Sequence, residues 1–303
     1  MKPWWRTLNY SALKAVLPAK VEPYMKLARY DVPLWTQYSA FPAWCGLALA
    51  CKSYPDPMML VAFYQSAAMV HGAGCIINDW MDRDYDRQVE RCKNRPFVVG
   101  SIKDAPAAAF FLFNLSPIAI GMWYSSPLAQ GVIFSLVPLI CIYPLCKRFT
   151  NWPQVILGFN YSTTALVGYT MHTGTIDPAS IALWVGGIAH AIHTDTFYAF
   201  QDRDDDLKAG VMSTAVRFGE DYKFWLGGIT AVTAACWTAT GVLAGLHPFY
   251  YAGVLAATGQ MAWQISVADI KNKVDMKAKH QGNKYVLLSL FAGIVAAKTL
   301  GGN

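Results

Sequence analysis

The chain has 303 residues, of which 54% are hydrophobic and only 15% are charged, and its formal net charge is +6. Soluble globular domains carry about 25% charged residues, so this composition excludes an ordinary water-soluble domain and indicates a protein that lies in a membrane. A basic excess also fits a nucleic-acid binder, but the positions of the basic residues give a different explanation.

Largely uncharged stretches of about 20 residues recur along the chain, and a helix of that length crosses the hydrocarbon core of a bilayer. The breaks between them are too short for a further domain, so we predict a single all-α domain over residues 1–303, a polytopic membrane protein with about nine transmembrane helices. Residues 1–30 contain Trp4, Trp5 and spaced lysines, which predicts an N-terminal interfacial segment. The predicted spans cover residues 34–51, 57–78, 105–124, 127–146, 153–173, 180–200, 224–245, 248–268 and 285–300.

The basic residues lie almost entirely on one side of these spans. Of the 25 Lys and Arg residues, 23 fall in the N-terminal segment or in the loops after even-numbered helices, and only Lys52 and Lys298 fall elsewhere. Cytoplasmic loops carry this excess in membrane proteins. The pattern therefore predicts an integral, multi-pass protein whose basic loops face the cytoplasm or the mitochondrial matrix, and it needs no nucleic-acid partner.

Two acidic clusters end hydrophobic spans on the predicted basic side. In the first, Asn78, Asp82 and Asp86 recur every four residues and so share one helix face, with Asp79 beside it. In the second cluster the residues with helical spacing are Asp195, Tyr198, Asp202 and Asp206.

Carboxylates at helical spacing repel one another and are costly to desolvate at a membrane surface. Sites that contain only oxygen ligands suit Mg²⁺, which completes its shell with water and phosphate oxygens. The nearby Lys and Arg residues indicate that an anion joins the metal. Solvated acidic helix ends, or a membrane scaffold or transporter with a metal-binding vestibule, are the alternatives.

Three ordered motifs resemble those of the UbiA superfamily of intramembrane prenyltransferases. Residues 72–86 resemble the first signature, N-D-x-x-D-x-x-x-D, and residues 195–219 resemble the second. Residues 143–148 look like the Y-P-x-x-K-R loop that lies between them in that family. The most similar branch is that of the 4-hydroxybenzoate polyprenyltransferase-like enzymes, including fungal members that prenylate aromatic polyketides.

The resemblance implies nine helices around a central cavity that the polar motifs cap. It also implies that two Mg²⁺ ions hold a prenyl diphosphate and that Asp195 and Tyr198 lie near the reacting carbon. The alternative for Asp195 and Tyr198 is a hydrogen-bonded pair inside the membrane. With those two, the expected catalytic set includes Asp82, Asp86, Asp202 and Asp206. The expected metal ligands are Asn78, Asp79, Asp82, Asp86, Asp202 and Asp206. The candidates for clamping the diphosphate are Arg95, Lys147, Arg148, Arg203 and Lys208.

The expected reaction is Mg²⁺-dependent transfer of a prenyl group, farnesyl or similar, from a prenyl diphosphate to an aromatic acceptor within the membrane. The acceptor is expected to be a hydroxybenzoate or a phenolic polyketide, in quinone-type or meroterpenoid biosynthesis. An intracellular membrane is the expected location, either the endoplasmic reticulum or the mitochondrial inner membrane, and no obligate protein partner is predicted. The alternative within the family is a terpene cyclase that acts on farnesyl diphosphate without an aromatic acceptor.

The segment 29–35 departs from the pattern of relatives that prenylate aromatic acids, which usually show Arg-x-Asp-basic-Pro-x-Gly there. Val32 stands where those relatives have a basic residue, and Trp35 stands in place of the Gly. If this corner faces the acceptor, an unpaired carboxylate in it would be costly, and a small benzoate held by its carboxylate is not expected. The alternative is that both residues face lipid.

Overall fold

The computed structural model describes residues 18–88 and 92–301. Residues 1–17 of the predicted interfacial segment lie outside the described residues. Regular structure in the described part of the chain is entirely helical, and the α-helices are α1 Glu22–Leu27, α2 Pro33–Ala50, α3 Pro57–Met81, α4 Arg83–Asp86, α5 Asp104–Asn114, α6 Ser116–Trp123, α7 Pro127–Phe134, α8 Leu136–Cys146, α9 Pro153–Thr173, α10 Pro178–Ala199, α11 Arg203–Ala209, α12 Thr214–Phe218, α13 Tyr222–Leu243, α14 Phe249–Val267 and α15 Lys273–Leu300.

Each predicted span coincides with one long helix or with a pair of consecutive helices, so the all-helical membrane architecture is confirmed. Five helical segments among the described residues are long and apolar enough to cross a membrane, and the count of nine is therefore not confirmed. The five are Pro57–Met81, Asp104–Trp123, Pro127–Cys146, Thr214–Leu243 and Lys273–Leu300. Helices such as α9 and α10 are less apolar because they bury polar side chains inside the bundle, among them Gln154 and His193.

Helices α3, α7 and α10 each begin at a capping side chain that is followed directly by proline. Asp56 accepts a hydrogen bond from the backbone N–H of Met58 at 2.8 Å, immediately before Pro57. Asp177 and Ser180 form a reciprocal capping box at the start of α10. Proline suits the first turn because its missing N–H has no partner there in any case. These caps allow the short connections that the sequence predicts.

The bundle has a hydrophobic core on one side and an open cavity on the other. The largest buried cluster joins α2, α9, α10, α13, α14 and α15, with Trp237 and Tyr250 fully buried. Helix α2 packs closely on α9, where Gly46 lies against the backbone of Ala165 and Gly168 against that of Ala43. Helices α2, α3, α8, α9 and α10 surround the cavity, and the ends of α3 and α10 bring the two acidic clusters to it.

Candidate active site

One cavity of about 740 Å³ runs into the bundle and has two chemically different parts. Its polar part is lined by Arg29, Asn78, Asp79, Arg95, Lys147, Asp195, Asp202 and Asp206. Its apolar part is lined by side chains that include Met59, Phe63, Phe113, Ile120 and Ile133. The cavity therefore accepts a ligand with a charged head and a long apolar body.

The first acidic cluster keeps its helical spacing across a small break in the helix. Helix α3 ends at Met81, Asp82 is its C-cap, and α4 continues to Asp86. The backbone N–H of Asp82 donates to Asn78, and that of Asp86 donates to Asp82, at 2.9 and 2.8 Å. Asp79, Asp82 and Asp86 are all buried, with exposures of 1%, 8% and 6%. Buried carboxylates need compensating partners.

Two arginines supply much of that compensation. Arg29 donates to both oxygens of Asp79 at 2.8 Å. Arg95 reaches Asp79 at 2.9 Å and Asp86 at 2.6 Å. Burial raises the pKa of the Asp86 carboxyl above its ordinary value, although the Arg95 guanidinium acts in the opposite direction. Arg29 has a backbone φ of 59°, a conformation that non-glycine residues seldom adopt.

Lys147 connects the loop after α8 to the first cluster. Its Nζ lies 3.4 Å from Asp82 Oδ2 and 3.5 Å from Asn78 Oδ1. Burial acts to lower the pKa of Lys147, but the Asp82 carboxylate outweighs it, and the net pKa lies above the ordinary value. Lys147 is therefore a stable positive charge at the polar end of the cavity.

The second cluster faces the same part of the cavity from the opposite helix. Asp195 and Tyr198 belong to α10, Asp202 is the N-cap of α11, and Asp206 lies in the first turn of α11. All four line the cavity. The predicted juxtaposition of the two clusters at one site is thus present in the structure.

The five predicted diphosphate-clamping residues divide into two groups. Arg95 and Lys147 line the cavity, whereas Arg148, Arg203 and Lys208 are not among its lining residues. Arg148 donates to the backbone carbonyl of Met81 at 3.1 Å, and Arg203 lies 3.7 Å from Glu220. Lys208 is exposed at the end of α11.

The charge balance at the polar end fits a hard divalent cation. Four carboxylates line the cavity, and three basic side chains, Arg29, Arg95 and Lys147, line it with them. Asp82 and Asp86 add two buried carboxylates beside them. An anionic ligand would meet excess negative charge there unless cations joined it, and the oxygen donors are those Mg²⁺ prefers. Among residues 18–88 and 92–301, no three His, Cys, Asp or Glu side chains are grouped closely enough to form a preassembled site.

Several lining residues lie outside the predicted set. Arg29 and Trp35 line the cavity, and both come from the segment 29–35. The departure of this segment from the family pattern was the only feature of the sequence that pointed to it. Trp35 packs edge-on against Tyr198 at 4.9 Å between ring centroids and stacks on His71 at 6.2 Å. It therefore faces the cavity and not lipid, while Val32 is not among the lining residues. His71 and Tyr161 carry no comparable sequence signal.

Comparison with known proteins agrees with the resemblance that the sequence motifs indicate. The profile of the UbiA prenyltransferase family matches residues 39–291. The 4-hydroxybenzoate geranyltransferase 1 of Lithospermum erythrorhizon is 36% identical over 290 residues, which cover 95% of this chain and 94% of that protein. The mitochondrial 4-hydroxybenzoate polyprenyltransferase of Arabidopsis thaliana is 37% identical over 291 residues, 93% of this chain and 70% of that protein. A UbiA homologue from Archaeoglobus fulgidus, solved with GPP and Mg²⁺, superposes with a TM-score of 0.65 at 18% identity and covers 90% of this chain and 99% of that one.

Proposed function

The chain belongs to the UbiA prenyltransferase family, and we propose that it transfers a prenyl group from a prenyl diphosphate to a phenolic aromatic acceptor within the membrane, with Mg²⁺ as cofactor. The observation that carries this proposal is that one cavity joins a polar end, lined by acidic and basic side chains, to an apolar part. A prenyl diphosphate has the same division between a charged head and a hydrocarbon chain. The proposed product is a prenylated phenol for quinone-type or meroterpenoid biosynthesis.

The two acidic clusters are proposed to hold the diphosphate through Mg²⁺. Asn78, Asp79, Asp82, Asp86, Asp202 and Asp206 would provide the ligands, and the bound metal would stabilise negative charge on the departing diphosphate. The complex of the Archaeoglobus fulgidus homologue with GPP and Mg²⁺ supports the use of a divalent metal with a prenyl diphosphate, and the six ligands remain a proposal from the sequence motifs. Because Arg29, Arg95 and Lys147 already neutralise the first cluster, we expect some of these ion pairs to rearrange when metal and diphosphate bind.

The protein side chains are proposed to carry out the remaining tasks. Arg95 and Lys147 place positive charge next to the diphosphate at the polar end. The apolar part holds the prenyl chain and excludes water, which would otherwise capture the allylic cation. The rings of Trp35, Tyr143, Tyr161 and Tyr198 line the cavity and stabilise a cation electrostatically. Asp195 and Tyr198 are proposed to lie beside the acceptor carbon that attacks.

Two observations favour different acceptors. The names of the relatives from Lithospermum erythrorhizon and Arabidopsis thaliana favour 4-hydroxybenzoate. Trp35 favours a neutral phenol, because it places an apolar, uncharged ring beside Tyr198, where a carboxylate would be costly to bury. Measured transfer rates to both acceptors distinguish them, and Trp35→Gly should raise use of 4-hydroxybenzoate relative to the neutral phenol if Trp35 selects the acceptor.

The principal test is product identification with purified protein, farnesyl diphosphate and Mg²⁺. A prenylated phenol that forms only with an aromatic acceptor would support transfer, and a cyclic terpene that forms without one would support the cyclase alternative. Excess EDTA should abolish turnover, and full activity in EDTA would contradict the metal assignment.

A matched pair of variants tests the site itself. Asp202→Asn removes a carboxylate that lines the cavity, and Asp204→Asn removes an exposed one two residues away. We expect turnover to fall by orders of magnitude in the first variant and to stay near wild type in the second. Equal rates in the two variants would contradict the site.

The proposed location is an intracellular membrane. The Arabidopsis relative is named as mitochondrial, so the mitochondrial inner membrane is the first compartment to test by fractionation of cells that express a tagged chain.

A further inference from the structure

Two buried polar side chains from different helices meet at one corner of the main cavity. Gln154, in the first turn of α9, and Ser213, the N-cap of α12, both line the cavity, and their exposures are only 3% and 4%. The backbone N–H of Thr214 donates to Oε1 of Gln154 at 3.1 Å. Because the nitrogen of Thr214 is bonded directly to the carbonyl carbon of Ser213, Gln154 and Ser213 are neighbours in this corner.

The bond from Thr214 determines which end of the Gln154 amide is left for a ligand. A backbone N–H can only donate, so the atom that it meets must be the amide oxygen. The amide nitrogen, Nε2, has no hydrogen-bond partner among residues 18–88 and 92–301, and it is not sealed from the cavity. Gln154 therefore holds a fixed donor, with two N–H groups, towards the cavity that it lines.

Ser213 provides a second donor in the same way. Its Oγ accepts a hydrogen bond from the backbone N–H of Val216 at 3.3 Å. Its hydroxyl proton has no acceptor within the described part of the chain. The Thr214 hydroxyl is fully buried and is already paired with that of Thr196 at 2.7 Å. The corner thus offers two uncharged donors, which suit a ligand that presents acceptor oxygens.

The loop that carries this corner is fixed to both acidic clusters. The backbone N–H of Met212 donates to the carbonyl oxygen of Lys147 at 2.9 Å, and that of Val211 donates to the carbonyl oxygen of Asp206 at 2.9 Å. Lys147 reaches Asp82 of the first cluster with its Nζ, and Asp206 belongs to the second. A diphosphate that both clusters hold through metal therefore has its oxygens beside this corner.

We propose that Gln154 and Ser213 donate hydrogen bonds to the phosphate oxygens of the diphosphate, an inference that rests on the proposed transfer reaction. Hydrogen bonds to an anion are stronger than those between neutral groups. These donors also add no charge to a site that already contains carboxylates and basic side chains.

The two donors act most strongly when the diphosphate departs. As the allylic C–O bond breaks, its electron pair passes to the diphosphate oxygen, and negative charge on the phosphate groups increases. The backbone N–H groups of Thr214 and Val216 hold Gln154 and Ser213 in place before this happens. Donors that are oriented in advance stabilise such charge without reorganising during the reaction.

The test measures binding of an unreactive substrate analogue to full-length purified protein with Mg²⁺. The probe is farnesyl diphosphate with sulfur in place of the oxygen between C1 and the phosphate, which ionises far more slowly. Gln154→Glu and Ser213→Asp each keep an oxygen that accepts from Thr214 or Val216, and each replaces the donor by a carboxylate oxygen. We expect the Kd of the analogue to rise about tenfold to a hundredfold in each variant, the size of a hydrogen bond to a charged group. The Tm should stay near wild type.

Two further variants separate loss of the donor from other effects. Gln154→Met has a similar volume and no charge, so it should also raise the Kd, and it should lower the Tm because the bond to Thr214 is lost. Gln88→Glu is the control for added charge, since Gln88 is exposed beyond the first cluster and its Nε2 donates to the backbone carbonyl of Asp84 at 3.3 Å. Its Kd should be unchanged.

The outcomes distinguish the inference from the proposed function. If Gln154→Glu and Gln154→Met bind the analogue as the wild type does, Gln154 only supports the loop and the inference is overturned. A raised KM for 4-hydroxybenzoate with an unchanged Kd for the analogue would assign the corner to the acceptor and would also overturn it. In both cases transfer by the wild-type protein leaves the proposed function intact. If the wild-type protein neither binds the analogue nor forms a prenylated phenol, the proposed function fails, and the inference fails with it.

Discussion

Arg95 contributes most to the charge balance of the first acidic cluster, because its guanidinium contacts both Asp79 and Asp86. Replacing it by Gln leaves those buried carboxylates with weaker partners. Removing one member of a buried ion pair costs about 3–5 kcal/mol, so Arg95→Gln should lower the Tm in detergent by many degrees. It should also weaken prenyl diphosphate binding. Thermal unfolding and equilibrium binding are the measurements.

Arg87 provides the matched control for this change. It forms an ion pair with Asp84 at 3.0 Å, but the two side chains are 57% and 85% exposed. Exposed pairs of this kind contribute little to stability, so Arg87→Gln should leave the Tm and binding nearly unchanged. Similar losses in both variants would show that burial does not determine the role of Arg95.

Residues within one motif could be predicted from sequence, and residues that meet from distant segments could not. The spacing of Asn78, Asp82 and Asp86 is sufficient to place them on one helix face. The pairing of Arg29 with Asp79 joins segments 50 residues apart and depends on a left-handed backbone at Arg29. No local pattern encodes such a contact, because it depends on how the turn between α1 and α2 packs on α3.

At the scale of helices, the close contact between α2 and α9 depends on glycines, which have no side chain to separate the two backbones. A Cβ at Gly168 would overlap the carbonyl oxygen of Ala43 and lie 2.9 Å from the backbone nitrogen of Leu47. Backbone atoms cannot move aside as a flexible side chain can. We expect Gly168→Ala to destabilise the protein by about 1–3 kcal/mol or more, as overpacking does, and to lower the Tm.

Gly227 in α13 is the control for that substitution. A Cβ there meets nothing within 4 Å, and alanine is favoured over glycine inside a helix by about 1 kcal/mol. Gly227→Ala should leave the Tm unchanged or raise it. If both variants unfold at the wild-type temperature, the α2–α9 interface can accommodate an additional methyl group, and the prediction for Gly168→Ala is wrong.

The helices themselves were largely predictable, but their interruptions were not. The predicted spans 105–124 and 127–146 are each divided in the structure, at Leu115 and at Ser135. Pro117 and Pro138 follow these breaks, and a proline nitrogen cannot donate to the carbonyl four residues earlier. Hydropathy reports the length of an apolar stretch, and it does not detect the loss of a backbone hydrogen bond within that stretch. The break between α5 and α6 lies next to lining residues of the cavity, including Phe113 and Ser116.

For the whole molecule, the sequence predicts orientation more readily than the cavity. The asymmetry of the basic residues can be counted along the chain, whereas the cavity arises from helices that are far apart in sequence. Only the acidic clusters indicated where such a cavity would open. Its apolar part, lined by residues such as Phe63 and Ile120, has the same composition as surfaces that face lipid, so sequence does not separate the two.

The orientation gives a prediction for the complete protein in its membrane. Both acidic clusters must lie on one side if they act on one diphosphate, and 23 of the 25 basic residues are predicted to lie on that side. Single cysteines at Lys93, Lys208 and Lys277, all exposed in the structure, should react with an impermeant maleimide from the cytoplasmic or matrix side. A cysteine at Thr175, in the exposed loop between α9 and α10, should react only from the other side.

The seven native cysteines are first replaced to remove background labelling. Detergent permeabilisation should then label all four positions equally, which controls for local reactivity. Labelling of the Lys93 and Lys208 positions from opposite sides would separate the two acidic clusters across the membrane, and no diphosphate could then bind to both.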